Sequence, residues 1–421
     1  MALQNPNGPE RMPEKKLTRR ALLAGLAGGS GVVLAQTASG RVIQTAPQAR
    51  PVAPDDPTKV QGPLPSEIGT RSPFETPGRY PSSTSSRTPL GYLHGTITPS
   101  DLHYERHHGG IPTIDPARYE LLIHGMVERP LKFTLADLMR FPAVSRICFL
   151  ECSGNLWSTA PEETRPGQIC GLTSQSEWTG VKLSTLFREV GADPKATWFL
   201  AEGSDAAVMT RSVPMDKGWD DAILAYAQNG EPIRPAHGYP ARLVLPGWEG
   251  NANIKWIRRI EIADRPFMTR EETSKYSEPV KGGKIRQFSF IMDARSIITF
   301  PAYPAVIEPG WVEIRGIAWS GRGRITRVEV STNGGKMWQP TELQGPVLDK
   351  AHTRFRLLWH WDGSPTEIMS RAIDETGYVQ PTRKALIEAR GIGAVPYHLN
   401  PITAWQIKKS GDVLFRAEPW G

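Results

Sequence analysis

Cys152 is the residue around which chemistry can be built. It follows Arg146-Ile147-Cys148-Phe149-Leu150, a run of mostly β-forming residues, and enters the turn Glu151-Cys152-Ser153-Gly154-Asn155. A strand that ends in a turn exposes a side chain on a rigid support. Three uses of such a thiol compete: a small core residue, a nucleophile paired with a histidine as in a cysteine-dependent hydrolase, or a soft metal ligand whose companions come from a cofactor. Cys148 lies four residues upstream, about 13 Å away along a straight strand, so pairing these two needs a sharp turn. Cys170 reads as core. Three cysteines in all exclude a disulfide scaffold and a four-cysteine zinc site. No Cys-x-x-Cys-His occurs, so no c-type haem is attached to this chain.

Groups suited to anions gather in three further segments. They are Arg106-His107-His108-Gly109, then His237-Gly238-Tyr239-Pro240 leading to Arg242, and Asn253-Ile254-Lys255-Trp256 after a Gly-rich turn. Singly, each reads as a solvated or capping group. Together, in a stretch with neither a carboxylate pair nor a phosphate loop, they point to a site for an anionic cofactor. The spacings do not say which cofactor.

The elements that must position these residues can be read from periodicity. Tyr119–Gly125, Arg146–Leu150, Ala241–Leu245 and Trp256–Ala263 are predicted strands, and Thr134 caps a short predicted helix through Met139. Lys182–Val190 is predicted helical. Strands and short helices mix without regular alternation, which predicts an α+β domain. Beyond about residue 290 no helix is predicted. Val312–Trp319, Ile325–Ser331, Arg354–Trp361, Glu367–Ile373 and Ala404–Lys408 read as short strands, with Asn333-Gly334 as a hairpin signal. That pattern predicts an immunoglobulin-like sandwich without chemistry of its own.

The 421 residues leave room for more than one domain, and Gly (40) with Pro (38) exclude a mostly helical bundle. A basic Lys15-Lys16-Leu17-Thr18-Arg19-Arg20 before the apolar stretch Ala21–Ala35 reads as a signal peptide of twin-arginine type, residues 1–38. That route exports folded proteins, so the expected location is the periplasm, with no stable membrane anchor. The leader carries part of the +7 net charge, and the remainder is too small to argue for nucleic acid. Residues 39–100, rich in Pro and Ser, are expected to form an extended arm.

Tyr104-Glu105-Arg106-His107-His108 with Ile114-Asp115-Pro116 resembles the opening motif of the sulfite oxidase family of molybdenum enzymes. Phe149–Asn155 resembles that family's metal-cysteine motif. His237–Arg242, Leu245-Pro246-Gly247 and Lys255-Trp256 resemble its pterin-binding segments, and Gly316–Gly321 with Ser331–Trp338 its dimerisation domain. The resemblance spans roughly residues 90–421. It implies an α+β molybdopterin-binding domain at 101–288, an immunoglobulin-like dimerisation domain at 289–421, and a molybdenum–molybdopterin cofactor. Cys152 would ligate the metal. His107, His108, Asp205, Ser212, His237, Arg242 and Lys255 would hold the pterin and its phosphate, and Arg106 would face the substrate. Tyr276 matches the active-site tyrosine, and Arg354 and Arg356 fall near a substrate arginine supplied by the sandwich.

One departure bears on the substrate. Five residues after the metal cysteine the family has an arginine for sulfite, and here stands Trp157. Loss of a charge-assisted contact costs about 1.5–3 kcal/mol, which argues against a small free dianion. The branch most resembled is the molybdenum subunit of the sulfane dehydrogenase in the Sox thiosulfate-oxidising system. It acts by oxygen-atom transfer on sulfur borne by a carrier protein's cysteine and passes electrons to a c-type cytochrome subunit. The implied assembly is a homodimer within a heterotetramer. The alternative is a sulfite dehydrogenase, with Arg165 or a sandwich arginine filling the gap.

Overall fold

Alternation sets the course of the strand Ala143–Glu151. Successive strand side chains face opposite ways. Cys148 and Leu150 turn to one side, into a buried cluster with Tyr104, Trp178 and Val244. Phe149 turns to the other, into a cluster built mainly from C-terminal strands. By the same period Glu151 follows Phe149, and Cys152 follows Cys148 and Leu150. One strand thus serves two cores and delivers a carboxylate to one and a thiol to the other.

The computed structural model describes residues 65–391 and 397–417. The expected signal peptide and the first part of the expected arm lie outside the described residues. Residues 65–70 belong to a separate unit and are exposed, with one local hydrogen bond from Ser66 Oγ to the Ile68 carbonyl at 2.9 Å. From Arg71 on, the described residues form one compact unit.

Two five-stranded sheets make its first half. In one, Ala143–Glu151 pairs with Thr173–Lys182, which pairs with Ile223–Gln228; Glu231–Pro232 and Arg242–Val244 both join the latter, all antiparallel. In the other, Ile257–Ala263 runs parallel to Glu120–Gly125 and antiparallel to Trp198–Gly203, with Leu131–Thr134 and Thr210–Pro214 at the edges. The helix Leu183–Val190 buries Leu183, Leu186, Phe187 and Val190 on the core. The predicted cap at Thr134 is present: its Oγ1 accepts the Asp137 N–H at 3.1 Å and Asp137 bonds back to the Thr134 N–H at 3.0 Å.

The second half is a sandwich of a four-stranded and a five-stranded sheet. Arg295–Phe300, Gly310–Trp319, Thr353–Trp361 and Glu342–Gln344 form one; Ile325–Ser331, Thr366–Asp374, Ala404–Ile407 and Val413–Arg416, with Gln339–Pro340 at the edge, form the other. Trp319, Phe355, Trp361 and Trp405 are buried between them.

Three expectations are corrected. A helix, Arg383–Arg390, interrupts the all-strand region, capped by Thr382, whose Oγ1 accepts the Ala385 N–H at 3.2 Å. Its Arg-Lys-Ala-Leu-Ile-Glu-Ala-Arg composition favours helix, and it hides only Leu386. The hairpin after Ser331 is longer than a two-residue turn, since Val330 pairs with Gln339 and the left-handed positions fall on Gly334 and Gly335. The Pro/Ser-rich segment is not an arm throughout. Tyr80–Pro81, Ser85–Arg87 and Glu105–Arg106 form a three-stranded sheet, and Thr88, Leu90 and Thr98 are buried. Borrowed backbone partners hold it down: Thr88 N–H donates to Gly171 and Thr98 N–H to Gln175, each at 2.8 Å. A segment too poor to build a core can still complete one.

The two halves meet at Glu151. Its carboxylate accepts from Arg295 Nη1 at 2.8 Å, Trp319 Nε1 at 2.6 Å and Asn155 Nδ2 at 3.0 Å, all buried. Burial pushes this carboxyl up, against the pull of Arg295 and the two donors. Phe149 stacks on His352 across the same contact, with centroids 5.9 Å apart. Removing one partner of a buried ion pair costs about 3–5 kcal/mol. Arg295→Met is expected to destabilise the protein by about that amount, read from the urea midpoint. A change below about 1 kcal/mol would show that the pair does not hold the halves together.

Candidate active site

The turn after Cys152 is fixed by its own backbone and by Asn155. Cys152 N–H donates to the Leu172 carbonyl at 2.9 Å, and Asn155 N–H donates to the Cys152 carbonyl at 3.0 Å. Asn155 Oδ1 accepts the Leu172 N–H at 2.7 Å while its amide reaches Glu151. Cys152 is left half-buried at one wall of a cleft. Burial raises its thiol, opposed by the Gly154 N–H and by Arg106. A metal cation on the sulfur reverses that balance. Cys148 and Cys170 are buried free thiols.

The cleft collects the anion-binding segments. Arg106, His107, His108, Asp205, His237, Arg242, Lys255 and Tyr276 all line it with Cys152. Lys255 Nζ donates to the carbonyls of Arg106 at 3.1 Å and Ala236 at 3.0 Å and lies 2.9 Å from His107 Nδ1. His107 Nε2 lies 2.9 Å from Glu105, so the ring proton sits on Nε2 and Nδ1 accepts from the lysine. Arg242 donates to the carbonyls of His237 at 2.8 Å and Asn253 at 3.0 Å and stands 4.9 Å from the Trp178 ring centre. Burial lowers Arg242 to about 10 and Lys255 well below its ordinary value. Closely packed cations in a dry cleft need an anion to complete them.

Four buried atoms on its walls have no protein partner: His103 Nε2, His237 Nδ1, Arg242 Nε and Asn251 Oδ1. His103 gives its Nδ1 proton to the Tyr104 carbonyl at 2.9 Å, and His237 gives its Nε2 proton to the His103 carbonyl at 3.2 Å. With the rings neutral, each keeps one free acceptor nitrogen. Burial holds His103 down at about 3 and His237 well below its usual value. Free acceptors beside cationic donors match a heterocycle with ring and amino N–H groups and an attached phosphate. At the other end Tyr276 Oη lies 2.9 Å from His108 Nε2, and the Arg211 guanidinium sits 5.2 Å from the tyrosine ring centre.

Not every expected residue arrives. Ser212 lies on the strand Thr210–Pro214, away from the cleft, where its Oγ accepts the Phe267 N–H at 2.9 Å. Trp157 is 40% exposed and does not line the cleft. Arg354 clasps the carbonyls of Leu93 and Gly95, and Arg356 pairs with Glu342, so neither sandwich arginine reaches the site. Conversely, His103 and Asn251 line it although neither belongs to the segments named from the sequence. The signal for His103 was its place directly before the Tyr104 motif. The sandwich side contributes through other residues than the two expected arginines. Tyr397 packs 5.3 Å from the Tyr276 ring, and His398 N–H donates to the Ser153 carbonyl at 2.8 Å.

Comparison with known proteins agrees with this geometry. Residues 108–271 match the family described as oxidoreductase molybdopterin binding domain, and residues 286–404 match the Mo-co oxidoreductase dimerisation domain. The chain is 29% identical to the sulfite oxidase of Gallus gallus over 388 residues, covering 85% of this chain and 83% of that protein. It is 31% identical to the nitrate reductase [NAD(P)H] of Hordeum vulgare over 322 residues, 68% of this chain. It spans only about a third of that nitrate reductase's length (35%). Among solved structures, the sulfane dehydrogenase SoxCD from Paracoccus pantotrophus matches at 43% identity and a TM-score of 0.78, covering 87% of this chain and 99% of that one.

The chain belongs to the sulfite oxidase family of molybdopterin enzymes. Its cofactor is molybdenum–molybdopterin, which the orphaned acceptors, the cations and the single thiol of the cleft fit. The hydrolase reading of Cys152 falls away with that membership.

Acid should weaken the fold. His103 (about 3), His108 (about 4), His237 and His352 (about 3) are all depressed by burial. The unfolded chain titrates near 6.5, so it binds more protons as pH falls below that value, and stability drops from about pH 6.5 toward pH 4. His398 opposes them: Glu249, 3.1 Å away, raises it, and its contribution fades as pH rises. The net expectation is a melting temperature that falls between pH 6.5 and 4.5 at constant cofactor load. A flat or rising profile would contradict the neutral assignment of these rings.

Proposed function

We propose that this enzyme oxidises sulfane sulfur carried on a cysteine of a partner protein, during thiosulfate oxidation, and delivers the electrons to a c-type cytochrome subunit. The observation that carries this reading is the 43% identity to a sulfane dehydrogenase along 99% of its chain. When bound, the molybdenum–molybdopterin group supplies oxygen-atom transfer to sulfur. Cys152 is the protein's ligand to the metal. His107, His108, Asp205, His237, Arg242 and Lys255 hold the pterin and its phosphate, with His103 and Asn251 added by their free acceptors. Arg106 faces the substrate with a planar fork of donors suited to oxyanions. Tyr276 and His108 form a neutral pair, the phenol raised and the imidazole lowered to about 4, both by burial. With both groups neutral, the Tyr276 hydroxyl donates to His108 Nε2 and fixes the orientation of the two rings at that end of the cleft. Tyr397 packs against Tyr276 from the sandwich side.

The assembly fitting this reading is a homodimer through the C-terminal domain within a heterotetramer containing the cytochrome. The location is the periplasm, reached folded through the signal at Arg19-Arg20. Free sulfite is the second reading, favoured by the similarity to the Gallus gallus sulfite oxidase.

The expected results are about one molybdenum per chain and faster turnover of a sulfane-bearing carrier protein than of free sulfite by the enzyme with its cytochrome. Rapid sulfite oxidation at micromolar KM, with no response to the carrier, would overturn the sulfane reading. Cys152→Ser should abolish turnover while keeping the melting temperature, because a hydroxyl is a hard, poor substitute for thiolate. Cys170→Ser should be nearly silent, and a comparable loss there would undermine the assignment of roles.

A further inference from the structure

Position 157 supplies no cation, and the arginines expected to replace it are engaged elsewhere. Arg165 donates to the Tyr92 hydroxyl at 2.9 Å and lies over that ring, and Arg354 and Arg356 are held as described. Arg87 is different. It ends the strand Ser85–Arg87, two residues after Ser85, whose cross-strand partner is Arg106. Residues two apart share a face of a strand, and so do cross-strand partners. Arg87 and Arg106 therefore project from the same face of this small sheet; Arg106 lines the cleft with Cys152, while Arg87 stands outside that lining.

A shared backbone acceptor places the guanidinium more closely. Arg87 Nη1 donates to the Ile169 carbonyl at 3.3 Å, and the same carbonyl accepts the Trp157 N–H at 3.0 Å. The cation thus stands beside the backbone of the position where the family carries its sulfite arginine. Burial lowers its proton affinity, and the groups that offset this are the thiols of Cys170 and Cys152. Among the described residues Arg87 has no carboxylate partner, and its one hydrogen bond is to that carbonyl. A guanidinium offers five N–H donors, so a half-buried one with a single neutral acceptor is an incomplete anion site.

We propose that Arg87 binds the anionic sulfur end of the substrate beside the metal ligand, in place of the cation missing at position 157. This rests on the reading of the cleft as a site of sulfur oxidation. The class of ligand is a sulfur anion: a sulfane thiolate at the start of oxidation and an oxyanion as oxygens are added. Arg106, whose Nη1 donates to the carbonyls of His107 and Thr84, has its remaining N–H groups to offer as a second arm to a sulfur-bound oxyanion.

The test uses the cofactor-loaded enzyme with Arg87→Gln and Arg87→Lys. Inorganic sulfate is titrated into each by calorimetry, and steady-state rates are measured with the sulfane-bearing carrier and with sulfite. Arg87→Gln is expected to weaken sulfate binding at least tenfold and to raise KM for whichever sulfur anion turns over, with kcat changed less. Molybdenum content and melting temperature should stay at wild-type values, and Arg87→Lys should recover most of the binding. Absence of sulfate binding to the wild type, unchanged binding in Arg87→Gln, or losses in both variants that track molybdenum content would overturn the assignment. If neither sulfur substrate turns over with the wild type, the functional reading fails by itself, and the sulfate titration still decides the role of Arg87.

Discussion

A buried carboxylate beside a thiol is the constraint on which the rest depends. Glu151 and Cys152 are neighbours on one chain, so strand alternation sends them to opposite sides. Glu151 locks into Arg295, Trp319 and Asn155, a contact that joins both halves of the protein. With that side fixed, Cys152 has one direction left, into the cleft. The turn through Asn155 cannot relax without breaking bonds to both Glu151 and Leu172. Such support suits a metal ligand, which must be held to within about half an ångström to be useful.

The cleft itself is a concentration of unfinished electrostatics. Arg242 and Lys255 are buried with carbonyls and a neutral imidazole as their hydrogen-bond partners, which leaves their charges to be met from outside the protein. The histidines are held neutral by the same burial and present acceptors in place of further charge. A cleft of this kind is poorly satisfied alone and well satisfied with an anionic heterocycle bound. It follows that the cofactor is part of the stability of the domain as well as of its chemistry. Arg87 extends the same logic, as a further cation with no carboxylate partner among the described residues, held at the carbonyl that also accepts the Trp157 N–H.

Much of the fold was legible because it rests on local signals. The Thr134 cap, the alternating strands 310–319 and 325–331 and the helix Leu183–Val190 each follow from residue types a few positions apart. The Pro/Ser-rich segment departs from the expected arm for a physical reason. Its own residues cannot repay ordering entropy, and only the carbonyls of Gly171 and Gln175, far along the chain, make ordering worthwhile. Helix Arg383–Arg390 has a helix-favouring composition but sits between strands and buries only Leu386, so its apolar pattern is too weak to mark it. Trp157 was expected at the metal because its place in the motif is five residues from Cys152, yet the chain turns sharply at Asn155 and leaves the indole 40% exposed.

By itself the sequence singled out Cys152 and most of the cations and histidines that the structure gathers around it in one cleft, and the order of an α+β domain before a β-sandwich. These depend on residue types and short spacings, which are written along the chain. Only the tertiary structure decided that Ser212 is turned away, that Tyr276 meets His108, that Tyr397 reaches in from the sandwich side, and that Arg87 lies beside the backbone of Trp157. Each of those depends on segments from 55 to 168 residues apart being brought within hydrogen-bonding or ring-contact distance. No local propensity encodes such a distance. It is set by how two sheets and a sandwich close around one buried carboxylate.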